Sequence, residues 1–164
     1  NEVGENEEVK VIVIRADNAD TPDNFETLVQ ELSGLGIGRD KIKEVPVAEN
    51  QSSAIGLNLL LKLLEEIPDD SLIYADITFG TKPMSAMVLY AMSFIEKIKD
   101  SEVEGIYYGE IPREMGKPVF EKAALYDLTT FKYLSDVIEQ MKYLEVADPL
   151  AVLKELLNVQ READ

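Results

Sequence analysis

Short apolar runs rich in β-branched residues alternate along the chain with longer stretches in which apolar residues recur at helical spacing. Runs of the first kind predict buried strands, because branched side chains pack well on a pleated sheet, and stretches of the second kind predict helices. The predicted strands are residues 9–14, 42–47, 71–77, 105–109 and 119–126. The predicted helices are residues 24–35, 50–67, 83–99, 129–145 and 148–159. This alternation predicts an α/β fold.

Three of these elements indicate how the sheet is built. The strand at 71–77 is apolar on both faces, which is typical of a parallel sheet covered on both sides. The helix at 83–99 is apolar nearly all round and should be buried on more than one side. A short connection separates the last two strands, which should therefore pair as an antiparallel hairpin. We predict a Rossmann-like domain with a mostly parallel sheet, helices on both faces and a C-terminal antiparallel hairpin.

The excess of acidic residues limits the kinds of molecule that this chain is expected to bind. Sixteen Lys and Arg residues stand against 32 Asp and Glu residues, for a formal net charge of -16. Affinity for duplex nucleic acid comes from neutralising phosphates, so we expect no binding to it, whereas a small anion needs only local donors and a cation. The sequence has no Cys and no His, which excludes thiolate catalysis, histidine bases and histidine-ligated metals. We predict no catalytic residue, no metal ligand and no cofactor.

The chain divides into three segments by composition. Residues 1–8 are acidic and are interpreted as a linker, residues 9–145 form the predicted Rossmann-like domain, and residues 146–164 form a C-terminal helical extension. The longest apolar stretch, residues 84–95, is shorter than the roughly 20 residues that a membrane-spanning helix needs. The lack of cysteine is compatible with a cytoplasmic location.

The segment between the third strand and the third helix carries the most informative chemistry. Gly80 permits a tight turn, Thr78 and Thr81 offer hydroxyl groups, and Lys82 places a cation at the start of a helix, where free N–H groups point outward. This combination suits a phosphate or a ribose. An equally open interpretation is structural, with Thr81 as an N-cap, Gly80 as a turn residue and Lys82 as a solvated charge. The glycines and the length of a P-loop are missing, which disfavours nucleoside triphosphate hydrolysis.

The same segment, Asp-Ile-Thr-Phe-Gly-Thr-Lys-Pro-Met-Ser at residues 76–85, resembles the signature of the CRISPR-associated Rossmann fold (CARF) proteins. Two further patches resemble the same family: Gly-Ile-Tyr-Tyr-Gly at 105–109 and Leu-Tyr-Asp-Leu-Thr at 125–129. The resemblance covers residues 9–142 in architecture and is specific only in these three patches. Phe79 departs from the glycine or histidine that is usual at its position.

The resemblance implies a homodimeric sensor that binds a cyclic oligoadenylate across its two-fold axis, with cyclic tetraadenylate favoured over cyclic hexaadenylate. The all-round apolar helix at 83–99 would then pack on the sheet with one face and on a partner with the other. Phe79 or Tyr108 could stack on adenine. The complete set of expected ligand-binding residues is Asn18, Asn50, Gln51, Ser52, Thr78, Phe79, Gly80, Thr81, Lys82 and Tyr108. For Ser52 and Asn50 helix capping is an open alternative, and for Tyr108 an ordinary half-buried strand position is one.

Arg15 and Arg113 are the other cations expected near the ligand-binding edge, and an ion pair is the favoured interpretation of each because acidic neighbours are abundant.

Three functions remain open at the level of the sequence. The first is a sensor that regulates an effector in type III CRISPR defence, with the effector or a transmembrane segment outside this chain, so that the parent protein could be anchored at the inner membrane. The second is a metal-independent ring nuclease, in which Lys82 would stabilise charge while Thr81 or Ser52 oriented an in-line attack by a ribose hydroxyl. The third is an α/β domain that binds an unrelated nucleotide or serves only in assembly.

Overall fold

A computed structural model describes residues 8–17, 21–48, 52–78 and 81–161. The predicted linker at residues 1–8 lies outside this range except for Glu8. Within the described residues no helix is both long enough and apolar enough to cross a membrane.

Strands and helices alternate over most of the chain, so the fold is mixed α/β, as predicted. The helices are α1 (Thr21–Gly34), α2 (Ser53–Glu66), α3 (Lys82–Lys99), α4 (Thr129–Tyr143) and α5 (Pro149–Arg161). The strands are β1 (Val11–Ala16), β2 (Ile42–Val47), β3 (Leu72–Asp76), β4 (Glu102–Glu110), β5 (Arg113–Glu114), β6 (Lys117–Pro118) and β7 (Ala124–Asp127). Short 3-10 turns precede β2 and β7, at Arg39–Lys41 and Phe120–Lys122.

The chain forms two compact units. The first comprises Asn1–Ile73 and Phe79–Val103, and the second comprises Tyr74–Thr78 and Glu104–Asp164.

In the first unit β1 and β2 pair in parallel, with Val11 opposite Ile42 and Ala16 opposite Val47. Antiparallel strands can be joined by a tight turn, but this parallel pair needs a crossover, which α1 provides. Phe25 and Val29 of α1 are buried with Ile42, and apolar residues of β1 pack against them. The predicted strand at 42–47 is therefore confirmed residue for residue, and its crossover helix is confirmed as well.

Helices α2 and α3 also belong to the first unit and contact each other. A Cβ atom at Gly56 would overlap Met87 Sδ, so the missing side chain in α2 makes room for a methionine of α3. Helix α3 is followed by Asp100, whose φ of 52° places it in the left-handed region common after helices.

The expectation that α3 is buried on more than one side does not hold within a single chain. Its buried residues, Val88, Ala91, Met92 and Ile95, form one stripe because they recur every three to four positions. Tyr90, Phe94 and Ile98 recur every four positions on another stripe and are 71%, 47% and 62% exposed.

A three-stranded sheet has the order β3-β4-β7. The Ile77 N–H donates to the Tyr107 carbonyl at 2.9 Å and the Glu102 N–H donates to the Ser71 carbonyl at 2.9 Å, so β3 and β4 run in the same direction. β4 and β7 are antiparallel, with Tyr108 opposite Tyr126, which confirms the predicted hairpin pairing.

The strand β3 was expected to be covered on both faces. Its burial instead alternates: Ala75 is buried, while Leu72 and Tyr74, which point to the opposite face, are 56% and 54% exposed. A strand that is apolar on both faces is therefore covered on one face only in this single chain.

The predicted strand at 119–126 is wrong in its first half. The Val119 N–H donates to the Pro112 carbonyl at 2.9 Å, and the next residues form the 3-10 turn Phe120–Lys122, so the strand begins only at Ala124. The connection also contains a small hairpin of β5 and β6 that the sequence did not indicate. Its tip needs positive φ angles, which Met115 (50°) and Gly116 (81°) adopt.

Candidate ligand-binding site

Thr78 lies just after β3 in the second unit, where two hydrogen bonds fix it. Its backbone N–H donates to Asp76 Oδ1 at 2.7 Å, a local bond of the kind that stabilises Asx turns. Its Oγ1 accepts from the Gly109 N–H of β4 at 2.6 Å. A Cβ at Gly109 would lie 3.0 Å from this Oγ1, so the glycine allows the close approach. A hydroxyl that accepts one bond can still donate another, so the Thr78 hydroxyl can both tie β3 to β4 and donate to a ligand.

Tyr108 lies near the carboxyl end of β4 and stacks on Tyr126 of β7. The ring centroids are 6.3 Å apart and the ring planes differ by 23°. The two rings are on the same face because Tyr108 and Tyr126 are directly opposite in the antiparallel register. Tyr108 is 40% exposed and Tyr126 is 46% exposed, so both rings remain accessible.

Glu110 fixes the second of these rings. The Tyr126 hydroxyl donates to Glu110 Oε2 at 2.9 Å. This hydrogen bond, followed by the charge of the same carboxylate, raises the pKa of Tyr126 above its ordinary value. Tyr126 is therefore a neutral hydrogen-bond donor at physiological pH.

The start of α4 holds the hairpin in register. The Ile106 N–H donates to the buried Thr129 Oγ1 at 2.9 Å, and the Thr129 N–H donates to Asp127 Oδ1 at 2.9 Å. The hydrogen bonds from Thr129 lower the pKa of Asp127 below its ordinary value. The patch at 125–129 thus joins β7 to β4 and begins the following helix. This structural role accounts for both Asp127 and Thr129.

In the first unit, Thr81 and Lys82 form the N-terminus of α3. Thr81 occupies the N-cap position with an extended backbone, and its carbonyl accepts from the Ser85 N–H at 3.1 Å. Lys82 is exposed, and its side chain forms no hydrogen bond or ion pair with any residue in the described part of the chain. The N-cap interpretation of Thr81 is confirmed for its backbone, while Lys82 remains available to an anion.

Ser52 occupies the corresponding position of α2. Its backbone is extended, and its carbonyl accepts from the Ile55 N–H at 3.0 Å and the Gly56 N–H at 3.2 Å. Helix capping, the alternative interpretation of Ser52, is thus confirmed for its backbone.

The structure places the described candidates in separate units. Thr78 and Tyr108 lie in the second unit, where Thr78 bonds the residue that follows Tyr108. Ser52, Thr81 and Lys82 lie in the first. The remaining candidates lie outside the described residues: Asn18, Asn50, Gln51, Phe79 and Gly80.

Tyr126 is the residue that the sequence analysis missed. A tyrosine in an alternating strand is ordinary, and its proximity to Tyr108 depends on a hairpin register that the irregular connection conceals. Tyr126 belongs to the patch at 125–129 that resembles the family, but the resemblance gave this tyrosine no role.

Arg15 forms an ion pair with Glu44 of β2, which confirms the interpretation favoured for it. Arg113 is exposed in β5 and forms no ion pair with a residue of the described ranges. Among the described residues, no group of three or more His, Cys, Asp or Glu side chains is placed to hold a metal ion.

No protein-family model matches this sequence. The CRISPR-associated protein MJ1674 of Methanocaldococcus jannaschii is 25% identical to the chain over 138 residues. The similarity covers 75% of this chain and 20% of MJ1674, so the chain spans about a fifth of the length of this relative.

Proposed function

We propose that the chain is a CARF-type sensor domain of a CRISPR defence system and that it binds a cyclic oligoadenylate, with cyclic tetraadenylate favoured over cyclic hexaadenylate. The observation that carries the proposal is the exposed Lys82 at the first residue of α3, with no ion-pair partner among the described residues of a chain that holds twice as many acidic as basic residues. A helix N-terminus with an available cation is suited to a phosphate.

The strand arrangement supports a Rossmann-like domain. β1 pairs with β2 in parallel, β3 runs in the same direction as β4, and the last pair, β4 and β7, is antiparallel. These pairs lie in two separate sheets, β1-β2 and β3-β4-β7. Each of the three relations is one that a mostly parallel sheet ending in an antiparallel hairpin requires, and helices connect the parallel strands. In such sheets ligands bind beyond the carboxyl ends of the strands. Thr78 lies just beyond the carboxyl end of β3, and Tyr108 lies near the carboxyl end of β4.

The similarity to a protein named as CRISPR-associated supports the proposed biological setting. Because the chain spans about a fifth of that protein, a sensor domain that regulates an effector elsewhere in a longer protein fits the coverage. We propose a cytoplasmic location for the sensor, with which the lack of cysteine is compatible.

A homodimer accounts for two otherwise unfavourable features. One Lys82 is a small positive charge for a chain of net charge -16, whereas two copies on a two-fold axis bring two lysines to one symmetric ring. The exposed stripe of Tyr90, Phe94 and Ile98 on α3 offers an apolar surface for the second copy. The proposed ligand-binding residues in each copy are those named from the sequence.

Calorimetric titration with cyclic tetraadenylate, cyclic hexaadenylate and linear tetraadenylate tests the proposal. We expect binding of the cyclic tetramer at micromolar concentration or below, weaker binding of the hexamer and none of the linear control. Chromatography of the titrated mixture after several hours should return the intact ring, whereas a cleaved ring would indicate the nuclease alternative. No binding to either ring would overturn the proposed function.

Lys82→Ala should weaken binding of the cyclic tetramer at least about tenfold, because each charge-assisted phosphate contact contributes about 1.5–3 kcal/mol. Lys154→Ala is the matched control: it removes the same charge from an exposed position of α5. Both variants should unfold at nearly the wild-type temperature. Equal affinity in the two variants would remove Lys82 from the site, and unfolding of Lys82→Ala alone would make the segment a structural turn.

A further inference from the structure

The stacked pair of Tyr108 and Tyr126 leaves aromatic surface exposed in addition to stabilising the hairpin. Cross-strand aromatic pairs stabilise sheets by contact between the rings, and centroid separations of about 4.5–7 Å are favourable. The pair meets this condition at 6.3 Å, yet Tyr108 and Tyr126 are each 40% or more exposed as residues. The exposed aromatic area is contributed by two nearly parallel rings, which is the arrangement that a nucleobase can extend by stacking.

The ring of Tyr126 is held before any ligand arrives. Its hydroxyl donates to Glu110 Oε2 at 2.9 Å, and Glu110 follows Tyr108 by two residues on the same strand face. A ring that is already ordered loses little rotamer freedom on binding, so stacking energy is not spent on ordering it. Tyr108, Glu110 and Tyr126 therefore form one preordered surface.

This surface adjoins Thr78, a candidate ligand-binding residue of the same unit. The residue after Tyr108, Gly109, donates to Thr78 Oγ1 at 2.6 Å, and both residues belong to the second unit. The acidic residue excludes one class of contact: a phosphate beside the Glu110 carboxylate would be repelled, whereas a neutral base stacked on the rings would not.

We infer that Tyr108 and Tyr126 form a stacking platform for an adenine base of the ring, that Tyr126 is a base-binding residue, and that Glu110 is a positioning residue that holds the Tyr126 ring. This inference rests on the proposed function. It adds Tyr126 and Glu110 to the proposed ligand-binding residues. It also proposes that this surface contacts a base of the ligand and not a phosphate.

Tyr126→Leu tests the platform, because leucine keeps apolar bulk in the strand and removes the aromatic face. Alanine substitution of a stacking aromatic costs about 1–3 kcal/mol per base, so affinity for cyclic tetraadenylate should fall about 5- to 150-fold. Tyr143→Leu is the matched control, since Tyr143 is exposed on α4 of the same unit. Thermal unfolding of the apo variants separates a loss of stability from a loss of binding.

The role of Glu110 is tested by a pair of variants that both remove its charge. Glu110→Gln keeps an oxygen that can accept from the Tyr126 hydroxyl, whereas Glu110→Ala does not. Glu110→Gln should therefore bind the ring severalfold more tightly than Glu110→Ala. Tyr126→Phe should weaken binding severalfold as well, and combining it with Glu110→Ala should weaken binding no further, because both changes remove the same hydrogen bond.

The outcomes separate the two proposals. If the wild type binds neither ring, the proposed function and this inference both fail. If the wild type binds and Tyr126→Leu binds as tightly as Tyr143→Leu, the platform is wrong and the proposed function stands. If Glu110→Gln binds as weakly as Glu110→Ala, Glu110 does not position the ring.

Discussion

Thr78 shows how one side chain can be both part of the fold and a candidate for the site. The sequence suggested a hydroxyl for a phosphate or a ribose, and the structure shows that the same oxygen accepts the Gly109 N–H at 2.6 Å. Since a hydroxyl can accept and donate at once, the two roles are compatible. The bond to β4 means, however, that a Thr78 variant must be tested for stability before a loss of binding is interpreted.

Thr78→Val should lower the free energy of unfolding by about 1–3 kcal/mol, because an isosteric methyl replaces the acceptor and leaves the Gly109 N–H without its partner. Thr27→Val is the control: Thr27 is exposed on α1, and its one hydrogen-bond acceptor among the described residues is the Asp23 carbonyl, so its replacement should change stability by less than about 0.5 kcal/mol. Urea denaturation of the apo proteins measures both. Equal stability of the two variants would show that the bond to Gly109 does not stabilise the fold.

Elements with a strong pattern of apolar residues could be predicted from the sequence. A loop that is held by a hydrogen bond between two backbone groups could not. The strand predicted at 42–47 has the observed bounds, and Pro83 placed the start of α3 to within one residue. The residues at 119–123 also have a strand-like composition, but the bond from the Val119 N–H to the Pro112 carbonyl closes a loop there. No residue type signals that bond, so the strand was placed too early.

For the candidate site, the sequence could predict residues but not their partners. The segment at 76–82 identified Thr78 and Lys82 by chemistry and position. Tyr126 was missed because the contact with Tyr108 depends on the hairpin register, and the register depends on the small β5–β6 hairpin and the 3-10 turn in the connection.

Glu66 connects three segments of the first unit through its carboxylate. It ends α2 and forms ion pairs with Lys43 of β2 at 2.9 Å and with Lys10, just before β1, at 3.2 Å. Hydrogen bonds from Lys43 and then from Lys10 lower the pKa of Glu66 below its ordinary value. A carboxylate whose pKa is lower in the folded than in the unfolded protein stabilises the fold above the unfolded pKa, and this contribution disappears as pH falls through the folded pKa.

Glu66→Gln should therefore be less stable than the wild type at pH 7 and low salt, and the difference should shrink as pH falls below about 4.5. Glu65→Gln controls for the removal of one negative charge, since Glu65 is the exposed neighbour and has no ion pair among the described residues. Chemical denaturation at a series of pH values measures both variants. A difference for Glu66→Gln that equals the control at every pH would contradict a stabilising role for the paired lysines.

At the scale of the whole molecule, the net charge of -16 and the exposed apolar stripe on α3 both favour the proposed homodimer. If the proposed function holds, a single acidic chain has one available lysine at the start of α3, Lys82, for a polyanionic ring. Two chains related by a two-fold axis would bring two such lysines to a ligand that has the same symmetry.

The stoichiometry of the complex tests this account most directly. Native mass spectrometry of the wild-type chain with a slight excess of cyclic tetraadenylate should show two chains with one intact ring as the main bound species, and linear tetraadenylate should give no such species. A complex of one ring with one chain would contradict the two-fold arrangement, and the absence of any bound ring would contradict the proposal that this chain is a cyclic oligoadenylate sensor.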